Sequence, residues 1–150
     1  MHPLVPLAVA AQVVLGNPGI SALNSGARAI DNNDVARGIA LTREALDSDM
    51  LSPYQAAKAY NNLCVGFFKL KLFEEALKNC DLAIERSSRN WTYYNNRAGA
   101  HWGLGRYAEA IADYEKALEF NPGSEKVQSN LALVYKHMQD PAEPPERPGA

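Results

Sequence analysis

The sequence lacks the features of a disulfide-rich fold and of a nucleic-acid-binding protein. Only two of the 150 residues are cysteines, Cys64 and Cys80, which excludes a dense disulfide framework and a CxxC pair for zinc or redox chemistry. The formal net charge is −2, and the 15 lysines and arginines are scattered along the chain. Binding to phosphates needs concentrated positive charge, so nucleic acid is not an expected partner.

The sequence also lacks a catalytic constellation. Its histidines, His2, His101 and His137, are not spaced as metal ligands, and no GxGxxG, GxxxxGK(S/T) or GxSxG pattern occurs. The glycines between 99 and 105 lie in a helical pattern without the preceding strand that a phosphate-binding loop requires. We therefore expect a protein without enzymatic activity, cofactor or metal site.

Charged side chains are absent from the start of the chain, where the first Asp, Glu, Lys or Arg is Arg28. Residues 4–15 read LVPLAVAAQVVL, a run of signal-peptide length that is shorter than the ~20 residues of a membrane-spanning helix. Small residues around 20–22 suit cleavage, although the run lacks a basic start. We predict a signal peptide at 1–22 and export to the periplasm or beyond. The alternative is an uncleaved hydrophobic arm on a cytoplasmic protein.

What the sequence does contain is an internal repeat with a period of about 34 residues. The letters YNN at 60–62 recur at 94–96, and the letters EA at 75–76 recur at 109–110. A fixed period of this length is typical of proteins built from stacked structural units, in which each unit buries its apolar face against the next.

Within each unit, the apolar spacing indicates two helices. Tyr60, Leu63, Cys64 and Phe67 follow the i, i+3, i+4, i+7 pattern of one helix face. A second apolar stripe runs through residues 76–84, and the short turn between the stripes lets the two helices fold back on each other. The expected fold is therefore all-α, with antiparallel helix-turn-helix repeats.

The repeated positions resemble those of the tetratricopeptide repeat family, and the apolar start is similar to that of short bacterial members with a signal peptide. The matching positions in one unit are Tyr94, Ala98, Ala110, Tyr114 and Pro122, with Arg97 and His101 in place of an apolar residue and a tyrosine. The resemblance implies a short right-handed superhelix that acts as a scaffold and binds a polypeptide in its concave groove.

The repeat divides the chain into a domain at 23–139 between two flanking segments. Its units are a degenerate repeat at about 19–56, repeats at 57–90 and 91–124, and a capping helix at about 125–138. In the first unit Val35 aligns with Phe73, which is a longer offset than the one between the later units, and we place the additional residues in an elongated turn around 50–53. Ser52 and Pro53 are expected there as the cap and the first position of a helix that runs through 54–68. Residues 140–150 contain four prolines and are expected to be a disordered tail.

The two cysteines are predicted to face inward from the two helices of one unit. Two interpretations remain open at this point. Cys64 and Cys80 are either buried thiols that act as small apolar groups, or a disulfide, which requires Cα atoms within ~7 Å and an oxidising compartment.

The candidate binding surface is the face of the first helices. The residues that we place there are Lys58, Asn61, Asn62, Val65, Phe68, Lys69, Thr92, Asn95, Asn96 and Trp102. Asparagine amides both donate and accept hydrogen bonds, as a peptide backbone does, and aromatic rings offer anchor surface. The alternative role for Asn62 and Asn96 is to hold neighbouring helices together.

The resemblance does not name the partner. The best-known grooves of the family bind the carboxylate end of chaperone tails through lysines, asparagines and an arginine, whereas this sequence has Thr92 and Asn96 where lysine and arginine would stand. We expect a protein or peptide partner, no integral membrane span and no nucleic acid. The alternative function is a structural or assembly subunit that self-associates or stacks in a larger complex.

Overall fold

The computed structural model describes residues 16–139, and these residues form seven α-helices and no strand. The helices are α1 Pro18–Asp31, α2 Val35–Asp47, α3 Pro53–Lys69, α4 Phe73–Arg86, α5 Trp91–Gly103, α6 Tyr107–Phe120 and α7 Glu125–Gln139. They pair as α1 with α2, α3 with α4 and α5 with α6, and α7 packs on α6. The predicted all-α fold of helix-turn-helix repeats is confirmed.

Polar side chains cap the starts of the first helices of the units, whereas the second helices α2, α4 and α6 have no side-chain cap. Asn17 accepts a hydrogen bond from the backbone nitrogen of Ile20 at the start of α1. Ser52 and Gln55 form a capping box at the start of α3, with Pro53 at the first helical position. These groups satisfy backbone N–H groups that have no partner within the helix, so the helix starts are defined locally.

The additional residues of the first unit lengthen a helix rather than a turn. Helix α3 begins at Pro53, whereas α5 begins at Trp91, which aligns with Ala57 in the repeat. The predicted helix start at Ser52 and Pro53 is confirmed, and most of the additional residues form one extra helical turn at the start of α3 instead of lengthening the turn near Met50. The sequence-based boundary between 56 and 57 consequently falls inside this helix.

The two helices of each unit approach each other at one pair of equivalent positions. The pairs are Gly26 with Thr42, Cys64 with Cys80, and Ala98 with Tyr114. A Cβ atom on Gly26 would lie 2.4 Å from the Thr42 hydroxyl oxygen, so only glycine allows this approach in the first unit. In the first unit the Thr42 hydroxyl group therefore occupies the space that a side chain at position 26 would need, and in the second unit the disulfide joins the two helices.

The turn inside each unit contains one residue in the left-handed conformation. Its φ angle is 65° at Asn33, 61° at Lys71 and 72° at Gly105. The three positions are related by the same offsets as the rest of the repeat. Glycine adopts this conformation without the steric cost that a side chain imposes, and Lys71 bears that cost in the middle unit.

Helix α1 includes residues that we had placed in a signal peptide. The expected cleavage region at 20–22 lies inside α1, between the buried Gly19 and Leu23, so removal of residues 1–22 would delete part of the folded first unit. The apolar run at 4–15 and the proline-rich segment at 140–150 lie outside the described residues. Within residues 16–139, no helix is both long and apolar enough to cross a membrane.

The left-handed turn predicts the effect of exchanging two residues. Lys71→Gly should raise the free energy of unfolding by about 1 kcal/mol, because glycine removes the steric cost at an exposed position. Gly105→Ala should lower it by about the same amount. Urea denaturation followed by circular dichroism measures both, and a destabilised Lys71→Gly protein would contradict the assignment.

Candidate functional site

The first helices of the units form a face with a cavity of about 480 Å³. The cavity is lined by Ala27, Ile30 and Asp31 of α1, by Asn61, Asn62, Val65 and Lys69 of α3, by Thr92 and Asn96 of α5, and by Lys126 of α7. No second helix contributes to this lining. We call this surface the groove.

Part of the predicted binding surface does line the groove. These residues are Asn61, Asn62, Val65, Lys69, Thr92 and Asn96. On α3, the groove residues after Asn61 follow it by one, four and eight positions. On α5, Asn96 follows Thr92 by four positions. These spacings place each set on one face of its helix.

The two predicted aromatic anchors lie elsewhere. Trp102 is buried and packs edge-on against Tyr107 and His137, with ring centroids 5.3 and 5.4 Å away. Phe68 packs against Phe73 at 5.7 Å and is not among the residues that line the groove. Both residues lie six positions after a groove asparagine, a rotation of about 120° around the helix, so they point between helices.

Two further predicted residues do not line the groove either. Asn95 is 2% exposed and is bonded to neighbouring asparagines, so its side chain is part of the framework. Lys58 is exposed one helical turn before Asn62, outside the cavity.

Sequence reasoning missed the contributions of the terminal helices. The offset from Lys58 to Thr92 is repeated from Thr92 to Lys126, and this repetition was the available signal. On α1, Ala27 and Asp31 precede Val65 and Lys69 by the longer offset of the first unit. The groove therefore spans all the first helices, and α7 acts as a fourth one.

The groove has an excess of positive charge and one unpaired amide. Lys69 donates a hydrogen bond to the carbonyl oxygen of Ile30 at 2.9 Å and so connects α3 to the end of α1. Lys126 is exposed at the far side, and Asp31 is the acidic lining residue. The side chain of Asn62 makes no hydrogen bond to the residues that the structure describes, and its amide is therefore available to a ligand.

An ion-pair network fixes helix α5 behind the groove. The guanidinium of Arg97 donates two hydrogen bonds to Asp113 on α6, at 2.8 and 2.7 Å, and a third to Asp81 on α4, at 2.7 Å. The Asp113 side chain is 8% exposed, which limits screening by water. A bidentate pair is directional, so it sets the rotation of α5 and with it the position of Asn96.

His101 lies at the edge of the same network. Its Nε2 atom is 3.8 Å from a carboxylate oxygen of Asp113. Burial lowers the pKa of His101, while the negative charge of Asp113 raises it by a smaller amount. The neutral imidazole is thus favoured in the folded protein.

The two cysteines lie directly behind the groove residues of α3. Cys64 and Cys80 are completely buried and are joined by a disulfide, with Cα atoms 5.2 Å apart. The bond connects the groove helix α3 to its partner α4. Within residues 16–139, no three His, Cys, Asp or Glu side chains come together as a metal site would require.

The chain matches known repeat proteins. Residues 91–124, which the sequence period also marks as one unit, match the family model described as tetratricopeptide repeat. Over 90 residues the chain is 50% identical to sperm-associated antigen 1 of Rattus norvegicus, covering 60% of this chain and 10% of that protein. Over 75 residues it is 33% identical to Hsp70-Hsp90 organizing protein 3 of Arabidopsis thaliana, covering 50% and 13%.

The structure is similar to a solved complex described as the first TPR of Spaghetti (RPAP3) bound to the HSP90 peptide SRMEEVD. The TM-score is 0.74 at 23% identity, covering 82% of this chain and 97% of that chain, which shows the fold. The two sequence relatives are eukaryotic, and this chain spans about a tenth of their length. They do not support the predicted resemblance to short bacterial proteins or the predicted export.

Burial of His101 predicts how stability depends on pH. Because its pKa is lower in the folded protein than in the unfolded chain, the unfolded state binds the proton more readily. This contribution to stability is complete above a pH of about 6.5 and is lost as the pH falls below it. Melting temperatures at about pH 7.5 and 5.5 should therefore differ less for His101→Gln than for the wild type. An equal difference would contradict this role.

The position of the cysteines predicts their oxidation state in the purified protein. Denatured without reductant, the protein should contain no thiol that reacts with Ellman's reagent, because both sulfur atoms are bonded. After reduction in denaturant, both cysteines should react. Two reactive thiols before reduction would instead favour the alternative of buried free cysteines.

Proposed function

We propose that this chain, which contains a tetratricopeptide repeat and has the fold of such repeat domains, is a protein-binding module that holds an extended acidic segment of a partner polypeptide in its groove. The observation that carries the proposal is the composition of the cavity. Lys69 of α3 and Lys126 of α7 line the same cavity as the amides of α3 and α5, and the side chain of Asn62 makes no hydrogen bond to the described residues.

The amides suit an extended backbone. A peptide in extended conformation leaves its N–H and C=O groups free, and an asparagine side chain can pair with either group. A cavity of about 480 Å³ lies within the range of sites that enclose part of a ligand. The groove is therefore suited to a few residues of a longer segment.

The lysines supply the preference for an acidic segment. Thr92 and Asn96 replace the lysine and arginine that known chaperone-tail grooves carry, but Lys69 and Lys126 provide positive charge from α3 and α7. The single negative charge of Asp31 balances only one of these two positive charges. The peptide SRMEEVD, which is bound in the similar solved structure, contains two glutamates and an aspartate and is a suitable test ligand.

A charge reversal in the groove tests this proposal. Titration calorimetry should show saturable binding of SRMEEVD and no binding of the charge-reversed peptide SRMKKVK. Lys126→Glu should weaken binding of SRMEEVD by about tenfold, because it replaces attraction by repulsion. Lys78→Glu, the same change at an exposed position on the second helix α4, is the matched control and should leave the affinity unchanged.

Two results would contradict the proposal. One is the absence of saturable binding of SRMEEVD by the wild type, and the other is equal binding of the two peptides. Sedimentation at two protein concentrations distinguishes the alternative of self-assembly, for which the exposed side chains of Tyr135 and Met138 on α7 offer an apolar surface. A mass that rises with concentration, without peptide binding, would favour that alternative.

A further inference from the structure

Four asparagines form a continuous chain of hydrogen bonds across the first helices. Asn130 of α7 donates to the side-chain oxygen of Asn95 at 3.1 Å, and Asn95 donates to the oxygen of Asn96 at 3.2 Å. Asn96 in turn donates to the oxygen of Asn61 on α3 at 2.8 Å. Every amide in the chain therefore donates in the same direction, from α7 towards α3.

The two ends of this chain are in different environments. Asn130 and Asn95 are 4% and 2% exposed, so neither side chain is available to a ligand. Asn61 is half-buried and lines the groove. Its oxygen is occupied by Asn96, whereas its NH₂ group makes no hydrogen bond to the residues at 16–139. The end of the chain that reaches the groove is thus a donor.

The direction of these hydrogen bonds is shared by all four asparagine side chains. An amide has one donor side and one acceptor side, so rotation of one member places two donors or two oxygens face to face. Leaving such buried groups unpaired is costly, and successive bonds polarise and strengthen one another. The orientations of the four amides are therefore coupled, and the group that Asn61 presents on α3 depends on the orientation of the buried Asn130 on α7.

We propose that Asn130 and Asn95 are positioning residues which hold the NH₂ group of Asn61 towards the groove, so that the bound segment must place a backbone carbonyl oxygen there. This inference rests on the proposed peptide binding and specifies it further. Asn61 makes the contact, and Asn96, Asn95 and Asn130 set its direction. Asn62, outside the chain, keeps both groups free and imposes no such requirement.

A substitution at the buried end is expected to reverse the direction of the hydrogen bonds along the four asparagines. A carboxylate at position 130 has no N–H to donate, so in Asn130→Asp the amide of Asn95 turns to donate to it. Asn96 and Asn61 then turn in sequence, and Asn61 presents its oxygen to the groove. The matched control is Gln128→Glu, the same change from amide to acid at an exposed position on α7.

The experiment measures SRMEEVD affinity by calorimetry and side-chain amide exchange by NMR. Asn130→Asp should weaken binding by about tenfold, as expected for one lost hydrogen bond with an oxygen facing an oxygen, while Gln128→Glu binds as the wild type does. In the free wild type, the Asn96 side-chain protons should exchange slowly and those of Asn61 rapidly. In Asn130→Asp the Asn61 protons should become slow as well, because they then donate to Asn96, while the Asn96 protons remain slow because they donate to Asn95.

Each outcome has a separate meaning. If the wild type does not bind SRMEEVD, the proposed function is wrong. The inference that a bound segment places a carbonyl oxygen at Asn61 is then wrong as well. If the wild type binds and a folded Asn130→Asp variant binds equally well, only the positioning role is wrong. Should Asn130→Asp fail to fold, the wild-type exchange rates still decide, because slow exchange of the Asn61 protons would mean that Asn61 donates to Asn96 and would overturn the assigned direction.

Discussion

The close approach of the two helices within each unit is the constraint on which the rest of the structure depends. Each unit fills one interior position with a different pair of side chains, which are glycine with threonine, a disulfide, and alanine with tyrosine. In the first unit glycine leaves room for the threonine hydroxyl group, and in the second unit the disulfide joins the two helices covalently. Similar pairs stack with their first helices side by side, and this stacking creates the groove.

Most of the fold could be predicted from the sequence because its signals are local and repeated. The sequence period, the cap at Ser52 and the turn glycine Gly105 each act within a unit or a single turn. The helix start at Ser52 and Pro53 was predicted correctly, but the extra length of the first unit was assigned to the turn, since the offset gives the number of residues but not their conformation. The strength of the capping box at Ser52 and Gln55 is what converts them into a helical turn.

The candidate site was less predictable because it depends on rotation around the helix and on contacts between units. Asn61 and Asn62 were placed correctly on α3, but the same face was extended to Phe68, which lies about 120° away. Lys126 was missed because α7, although its pattern resembles the first helix of a further unit, was assigned the role of a cap and left out of the binding surface. The direction of the asparagine chain lies beyond sequence reasoning altogether, since it requires knowing which amide contacts which.

The separation between the groove face and the interior face of each first helix has an evolutionary consequence. On α3, Asn61, Asn62 and Val65 contact the groove, while Cys64 contacts α4. Substitutions on one face therefore leave the packing of the other largely intact. A chain of this kind can acquire a different ligand preference through a few exchanges without first losing its fold, whereas the buried asparagines, which belong to both roles, are the residues least free to drift.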